Sequence, residues 1–237
     1  MKLVIGGSTG FVGTELLRQA LESPAVTSIV GISRRETKVP DGSTDNASKL
    51  KSFICDDLNN YPEALKKELE DADACIWTIA ITPAKMKDTP WDEVVKVTRD
   101  YALAALHTMT EARPIDSSKG PLRFVYMSGH FAPRDRSHVV KALTDFGLAE
   151  VSLLRGQLEA EVLDYAEQSD DRVVACIAKP GMIRGPGMEE LTTVPGLPSI
   201  ELQHVAAALL GQAIKGFQKD TLSNDDMSQM GRRILDK

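Results

Sequence analysis

Gly7, Gly10 and Gly13 recur at three-residue intervals in the segment Gly6-Gly7-Ser8-Thr9-Gly10-Phe11-Val12-Gly13. Glycines so spaced suit a backbone that must pass close to a diphosphate. The chain has to turn sharply, the main chain has to approach without a Cβ in the way, and the following helix has to pack tightly on the preceding strand. A helix that starts there directs free N–H groups and the positive end of its dipole at phosphate oxygens. The context supports this use. Lys2–Gly6 reads as a strand, and Gly10 to about Leu21 carries apolar residues at helical spacing. Gly7, Ser8, Thr9, Gly10, Phe11, Val12 and Gly13 are therefore read as a dinucleotide-binding turn.

The second strand indicates which dinucleotide. An acid about 20 residues past the glycines holds the ribose 2′-hydroxyl of NAD. Ser33-Arg34-Arg35 stand at that place instead. Arginine pairs bidentately with a phosphate, so the 2′-phosphate of NADP(H) is favoured over NAD(H). After the third strand come Asp56-Asp57-Leu58. A carboxylate there can accept from an adenine amino group or cap the next helix. The cysteines Cys55, Cys75 and Cys176 form no C-x-x-C pair, and the four histidines show no H-x-x-x-H spacing. They read as buried reduced thiols and scattered side chains, with no metal site.

The elements that must position these residues alternate. Strands are predicted at Lys2–Gly6, Val26–Ser33, Leu50–Cys55, Ala74–Ile81, Leu122–Met127 and Val173–Ala178. Helices are predicted at Gly10 to Leu21, Tyr61–Leu69, Trp91–Met109, Leu143–Glu167 and Ile200–Ile214. That order predicts a single α/β domain over residues 1–237, a Rossmann-like doubly wound parallel sheet. Two irregular stretches follow late strands, 129–141 and 181–198, where such a sheet places its ligand crevice.

A net charge of −6 without a dense basic block argues against direct nucleic-acid binding. No run approaches 18 consecutive apolar residues, which argues against a membrane span, and the amino terminus is not a secretory signal. A cytoplasmic protein is expected.

These pieces resemble the short-chain dehydrogenase/reductase superfamily in its extended or atypical branch, near the NmrA-like and Tat-interacting-protein-like proteins. The resemblance runs to about residue 215. It rests on Gly7/Gly10/Gly13, Asp57-Leu58 and Thr78-Ile79-Ala80. Further matches are Phe124–Gly129, Lys179–Pro186 and the segment Ile200–Leu210. It implies that Thr78, Ile79 and Ala80 line the cofactor, that Ser128 is the active-site serine, and that Pro180, Gly181 and Ile183 lie beside the nicotinamide. In catalytic relatives a Tyr-x-x-x-Lys pair lies on one face of the helix after the serine strand. Here Val151 and Arg155 fall at those places. Valine cannot transfer a proton. Arginine can still bond ribose hydroxyls, so Arg155 keeps a cofactor role.

Three residues are weighed as replacements for the tyrosine. His130 has the pKa range for proton transfer, Tyr126 reads as core, and Lys141 as solvated. Ser128, His130 and Arg155 are the candidate catalytic set. The reading is an NADP(H)-dependent oxidoreductase for a small organic carbonyl, enone or imine. The alternatives are a redox-sensing regulatory protein with a protein partner and a non-redox isomerase. A homodimer is compatible with each.

Overall fold

The computed structural model describes residues 1–86, 88–113, 119–188 and 196–236. Its elements follow in chain order: β1 Lys2–Gly6, α1 Phe11–Glu22, β2 Ser28–Ser33, β3 Leu50–Ile54, α2 Glu63–Leu69 and β4 Ala74–Trp77. Then come α3 Pro83–Met86, α4 Trp91–Val95, α5 Tyr101–Glu111, β5 Leu122–Met127, α6 Lys141–Asp145 and α7 Ala149–Glu167. The chain closes with β6 Val173–Ala178, β7 Met182–Arg184, β8 Ser199–Glu201, α8 Leu202–Lys215, β9 Thr221–Leu222 and α9 Asn224–Leu235.

Seven strands make one parallel sheet in the order β3-β2-β1-β4-β5-β6-β9. The strand runs are apolar almost throughout because both faces are covered. On one face Val4, Cys75, Trp77, Phe124 and Tyr126 pack with residues of α2, α5 and α7. On the other, Leu3, Ile5, Ile76, Val125 and Cys176 pack with α1, α8 and α9. The chain leaves β1 for β2 in one direction and later returns to β4 on its other side. This reversal opens a crevice beyond the carboxyl ends of β1 and β4.

Several sequence boundaries are corrected. β4 stops at Trp77, not Ile81. β1 ends at Gly6, and the Thr78 amide and hydroxyl both donate to the Gly6 carbonyl, closing the ladder. The predicted helix Leu143–Glu167 is broken between α6 and α7, where Gly147 takes φ +68; that left-handed turn lies outside helical geometry. A π turn over Lys96–Asp100 interrupts the predicted Trp91–Met109 helix. The stretch 181–198 is not wholly irregular, since β7 pairs with β8. Residues 189–195 of it lie outside the described residues. β9 and α9 were not anticipated. The start of α9 had a sequence signal: the Ser223 hydroxyl accepts from the Asp226 amide while the Asp226 carboxylate accepts from the Ser223 amide.

Candidate functional site

The glycine turn joins β1 to α1 at that crevice. Gly7 has φ +86, and a Cβ on it would lie 2.6 Å from the Thr78 Oγ1. The Gly7 amide donates to the Ile32 carbonyl at 2.8 Å and the Gly10 amide to the Gly7 carbonyl at 2.9 Å. A Cβ on Gly13 would overlap that same Gly7 carbonyl. Gly10 is the helix N-cap and supplies no side-chain cap. The first-turn amides therefore face the crevice without a capping partner. Ser8 and Val12 give their side chains to the fold: Ser8 shares a hydrogen with Thr37 at 2.6 Å, and Val12 is in the core. Phe11 is half exposed, with its ring against Gly185. Thr9 is partly buried, as are Ile79 and Ala80 across the crevice.

Past β2, the Ser33 hydroxyl bonds the Arg35 main chain and shapes the turn. Arg34 and Arg35 are exposed, and neither forms an ion pair among the described residues. Asp57 accepts from Asn60 at 2.8 Å and pairs with Lys96 at 3.5 Å. The Asn60 bond, then the Asn59 amide and Lys96, hold its carboxyl below the usual range. It does not cap α2, whose N-cap is Pro62. Leu58 is buried in the core.

The carboxyl ends of β5 and β6 carry a second assembly. Ser128 is 7% exposed and donates to Glu159 Oε1 at 2.6 Å. Glu159, on α7, is fully buried. The same Oε1 accepts from Lys179 Nζ, which also donates to the Ala132 carbonyl at 2.7 Å. Arg134 Nε donates to Glu159 Oε2 at 3.3 Å. One buried carboxylate thus ties together β5, α7, the start of the segment after β6 and the 129–141 stretch. Gly156 permits that stretch to cross α7, because a Cβ there would overlap the Pro133 carbonyl.

One turn back along the same face of α7, Arg155 donates to the Ile81 carbonyl at 2.9 Å and lies against Gly129. It is anchored, not a freely solvated helix arginine. Val151 is 5% exposed and packs with Val94 and Leu154. Val151 is therefore an apolar contact. Tyr126 is fully buried, and burial pushes its phenol up.

His130 is not hydrogen-bonded to Ser128 among the described residues. Its amide donates to the Pro180 carbonyl at 2.8 Å and its ring stacks edge-on with Phe131. The amide of Gly181, directly after Pro180, is also tied: it donates to Asn224 Oδ1 at 3.0 Å, and a Cβ on Gly181 would overlap the Pro198 carbonyl. Ile183 sits in β7. Burial first, then the positive Lys179, hold the His130 imidazole below its ordinary value. The folded protein therefore binds fewer protons at this site than the unfolded chain. The contribution to stability is full above about pH 6.5 and is lost as pH falls through the lower folded value. The urea midpoint of the protein should fall relative to that of His130→Asn as the pH is lowered through that window. A parent midpoint that rises relative to the variant's there would contradict the placement.

Sequence reasoning missed Glu159, Lys179 and Arg134. A signal existed for Glu159: Val151, Arg155 and Glu159 are four apart and share a helix face. Lys179 closes an otherwise apolar strand, Val173–Ala178, which marks it for partial burial. A separate cavity of about 510 Å³ lies beside α1, lined by Glu15, Arg18, Arg184 and Glu201 among others. It shares no lining residue with the Ser128 assembly.

With this topology and turn, the chain has a Rossmann-like α/β fold, a parallel sheet flanked by helices, which it shares with several solved structures. No family model matches it. Vestitone reductase from alfalfa superposes with a TM-score of 0.65 at 19% identity, covering 94% of this chain and 76% of that one. The oxidoreductase ylbE from Lactococcus lactis gives 0.64 at 18%, covering 100% and 98%. MoeE5 in complex with UDP-glucuronic acid and NAD gives 0.66 at 16%, covering 100% and 83%. In sequence, the mitochondrial protein FMP52 of Candida albicans is 33% identical over 85 residues, which is 36% of this chain and 35% of that protein. The match thus spans about a third of that relative's length. No helix among the described residues is long and apolar enough to cross a membrane.

Proposed function

We propose that the protein is an NADP(H)-binding oxidoreductase of the atypical short-chain dehydrogenase/reductase kind. Its substrate would be a small organic carbonyl, enone or imine. The observation that carries this is the uncapped α1 amino terminus at Gly10, with the exposed Arg34 and Arg35, without an ion pair among the described residues, beyond the neighbouring strand. The backbone of residues 7–13 would hold the diphosphate, and Arg34 and Arg35 the 2′-phosphate. Asp57 would meet the adenine, and Thr78, Ile79, Ala80, Arg155, Pro180, Gly181 and Ile183 the nicotinamide half. When bound, the reduced cofactor supplies hydride. Ser128 would orient a substrate oxygen, and His130 lies two residues past it on the same segment after β5, its amide on the Pro180 carbonyl.

A second reading follows from Val151. A chain whose tyrosine position is apolar would suit a regulator that binds NAD(P) and reports redox state to a protein partner, as a monomer or homodimer. An isomerase on the same fold would likewise dispense with the tyrosine. The compartment we propose is the cytoplasm, where the buried thiols of Cys55, Cys75 and Cys176 stay reduced.

Calorimetric titration tests the cofactor. NADPH should bind more tightly than NADH, and Arg34→Ala with Arg35→Ala should weaken NADPH by about 10–100-fold while sparing NADH, the effect of losing charge-assisted phosphate contacts. Equal affinities in the unaltered protein would end the NADP assignment.

A further inference from the structure

We propose that Lys179, acting through Glu159 and Ser128, supplies the proton that Val151 cannot. The inference rests on the oxidoreductase reading above. Its basis is the arrangement of one carboxylate oxygen between two donors. Glu159 Oε1 accepts from both Ser128 Oγ, at 2.6 Å, and Lys179 Nζ. A hydroxyl has one hydrogen. While that hydrogen points at Glu159, Ser128 can accept from a substrate but cannot donate to it. Ser128 becomes a donor only when Oε1 itself carries a proton to offer back. Lys179 is the group placed to deliver one.

The step balances. Hydride from the reduced cofactor adds to the carbonyl carbon and the C=O π bond breaks, leaving its electron pair on oxygen. A Lys179 Nζ–H bond breaks as the proton moves to Glu159 Oε1. That proton passes to Ser128 Oγ, whose own hydrogen passes to the substrate oxygen. Lys179 ends as the amine, Glu159 as the carboxylate and Ser128 as the hydroxyl. Solvent then recharges Lys179, whose side chain is 19% exposed.

The charges around Lys179 support the exchange. Glu159 faces it from α7, the Arg134 guanidinium lies on the other carboxylate oxygen, and His130 lies near it from the β5 side. Burial is the largest influence and, with Arg134, pulls the ammonium below its ordinary value; Glu159 opposes them. Arg134 keeps Glu159 paired after Lys179 has given up its proton, so the buried carboxylate is never left alone. Lys179 and Glu159 are relay and positioning residues. Ser128 is the member that touches substrate.

Two measurements test the relay. In the apoprotein labelled with ¹³C at lysine Cε, the Lys179 resonance is identified by its loss in Lys179→Arg. It should titrate reversibly below the ordinary lysine range while the fold is intact, and the titration should shift in Ser128→Ala. A Lys179 that stays charged until the protein unfolds overturns the proposal.

The second readout is NADPH oxidation with 9,10-phenanthrenequinone as the probe carbonyl. Lys179→Arg keeps the positive charge but cannot release a proton. Its kcat should fall by about 10²–10⁴, the usual contribution of a positioned acid. Its NADPH affinity should hold. A purely structural lysine would be rescued by arginine, and full kcat in that variant overturns the relay. A fall confined to His130→Ala names the histidine as donor and overturns it too. So does a protein that binds NADPH but leaves the quinone unreduced. Loss of NADPH binding by the unaltered protein would instead refute the oxidoreductase reading, and the apoprotein titration would still decide the relay.

Discussion

Gly10→Val should abolish dinucleotide binding in a protein that still folds, whereas Gly13→Ala should damage the fold itself. Gly10 sits at φ −82 and ψ 173, extended backbone open to any residue. A Cβ there meets only the Gly7 carbonyl, at 3.1 Å. The rest of the space it faces is where a diphosphate would come to the α1 amides. Exchanging an N-cap glycine for valine costs the helix about 1 kcal/mol, a loss a domain of this size survives. The two methyls occupy the phosphate approach, so NADPH binding in calorimetry should fall below detection. At Gly13 the geometry is different. Its Cβ would overlap the Gly7 carbonyl, which is main chain and already accepts from the Gly10 amide. Relief requires α1 to move off β1. Overpacking against backbone costs about 3 kcal/mol or more, read as a lower urea midpoint. Normal NADPH affinity in folded Gly10→Val would make the turn purely structural. A Gly13→Ala protein as stable as the parent would show that α1 is not seated as described.

Glu159→Ala should lower stability by about 3–5 kcal/mol, the usual loss when one member of a buried ion pair is removed. The variant leaves Lys179 mostly buried with only the Ala132 carbonyl, and Ser128 with no acceptor. Glu159→Gln keeps an acceptor for Ser128 and should lose less. The double variant Glu159→Leu with Lys179→Met should recover much of the loss, since a buried pair exchanged together for apolar groups is often neutral. Urea denaturation at neutral pH measures all three. An additive double variant, or a parent-like Glu159→Ala, would mean that the pair is not coupled in the folded protein.

The elements that were legible share a property: their signal is local. The β1–α1 unit was read from a short apolar run followed by glycines. The strands Leu122–Met127 and Val173–Ala178 were found to the residue because buried parallel strands are apolar almost throughout, Arg123 being the one charged residue in the two. Boundaries failed where a neighbour decides them. β4 ends where β1 runs out of carbonyls, and the break before α7 depends on a single left-handed glycine. β9 is two residues long, too short for any periodicity, and exists because it finds the free edge of β6.

By itself, then, the sequence determined the α/β order, the glycine turn, the arginines beyond β2 and the placing of Val151, Arg155 and Glu159 four residues apart on one helix. Those are constraints of residue type at fixed spacing, and spacing is written along the chain. The tertiary structure alone decided what surrounds Ser128. Glu159 is 31 residues away from it, Lys179 a further 20 beyond Glu159, and Arg134 stands 25 before Glu159. On a helix surface a glutamate reads as solvated. It becomes the centre of the site only because two strand ends and a crossing loop exclude water from it and bring two cations and a hydroxyl to its oxygens.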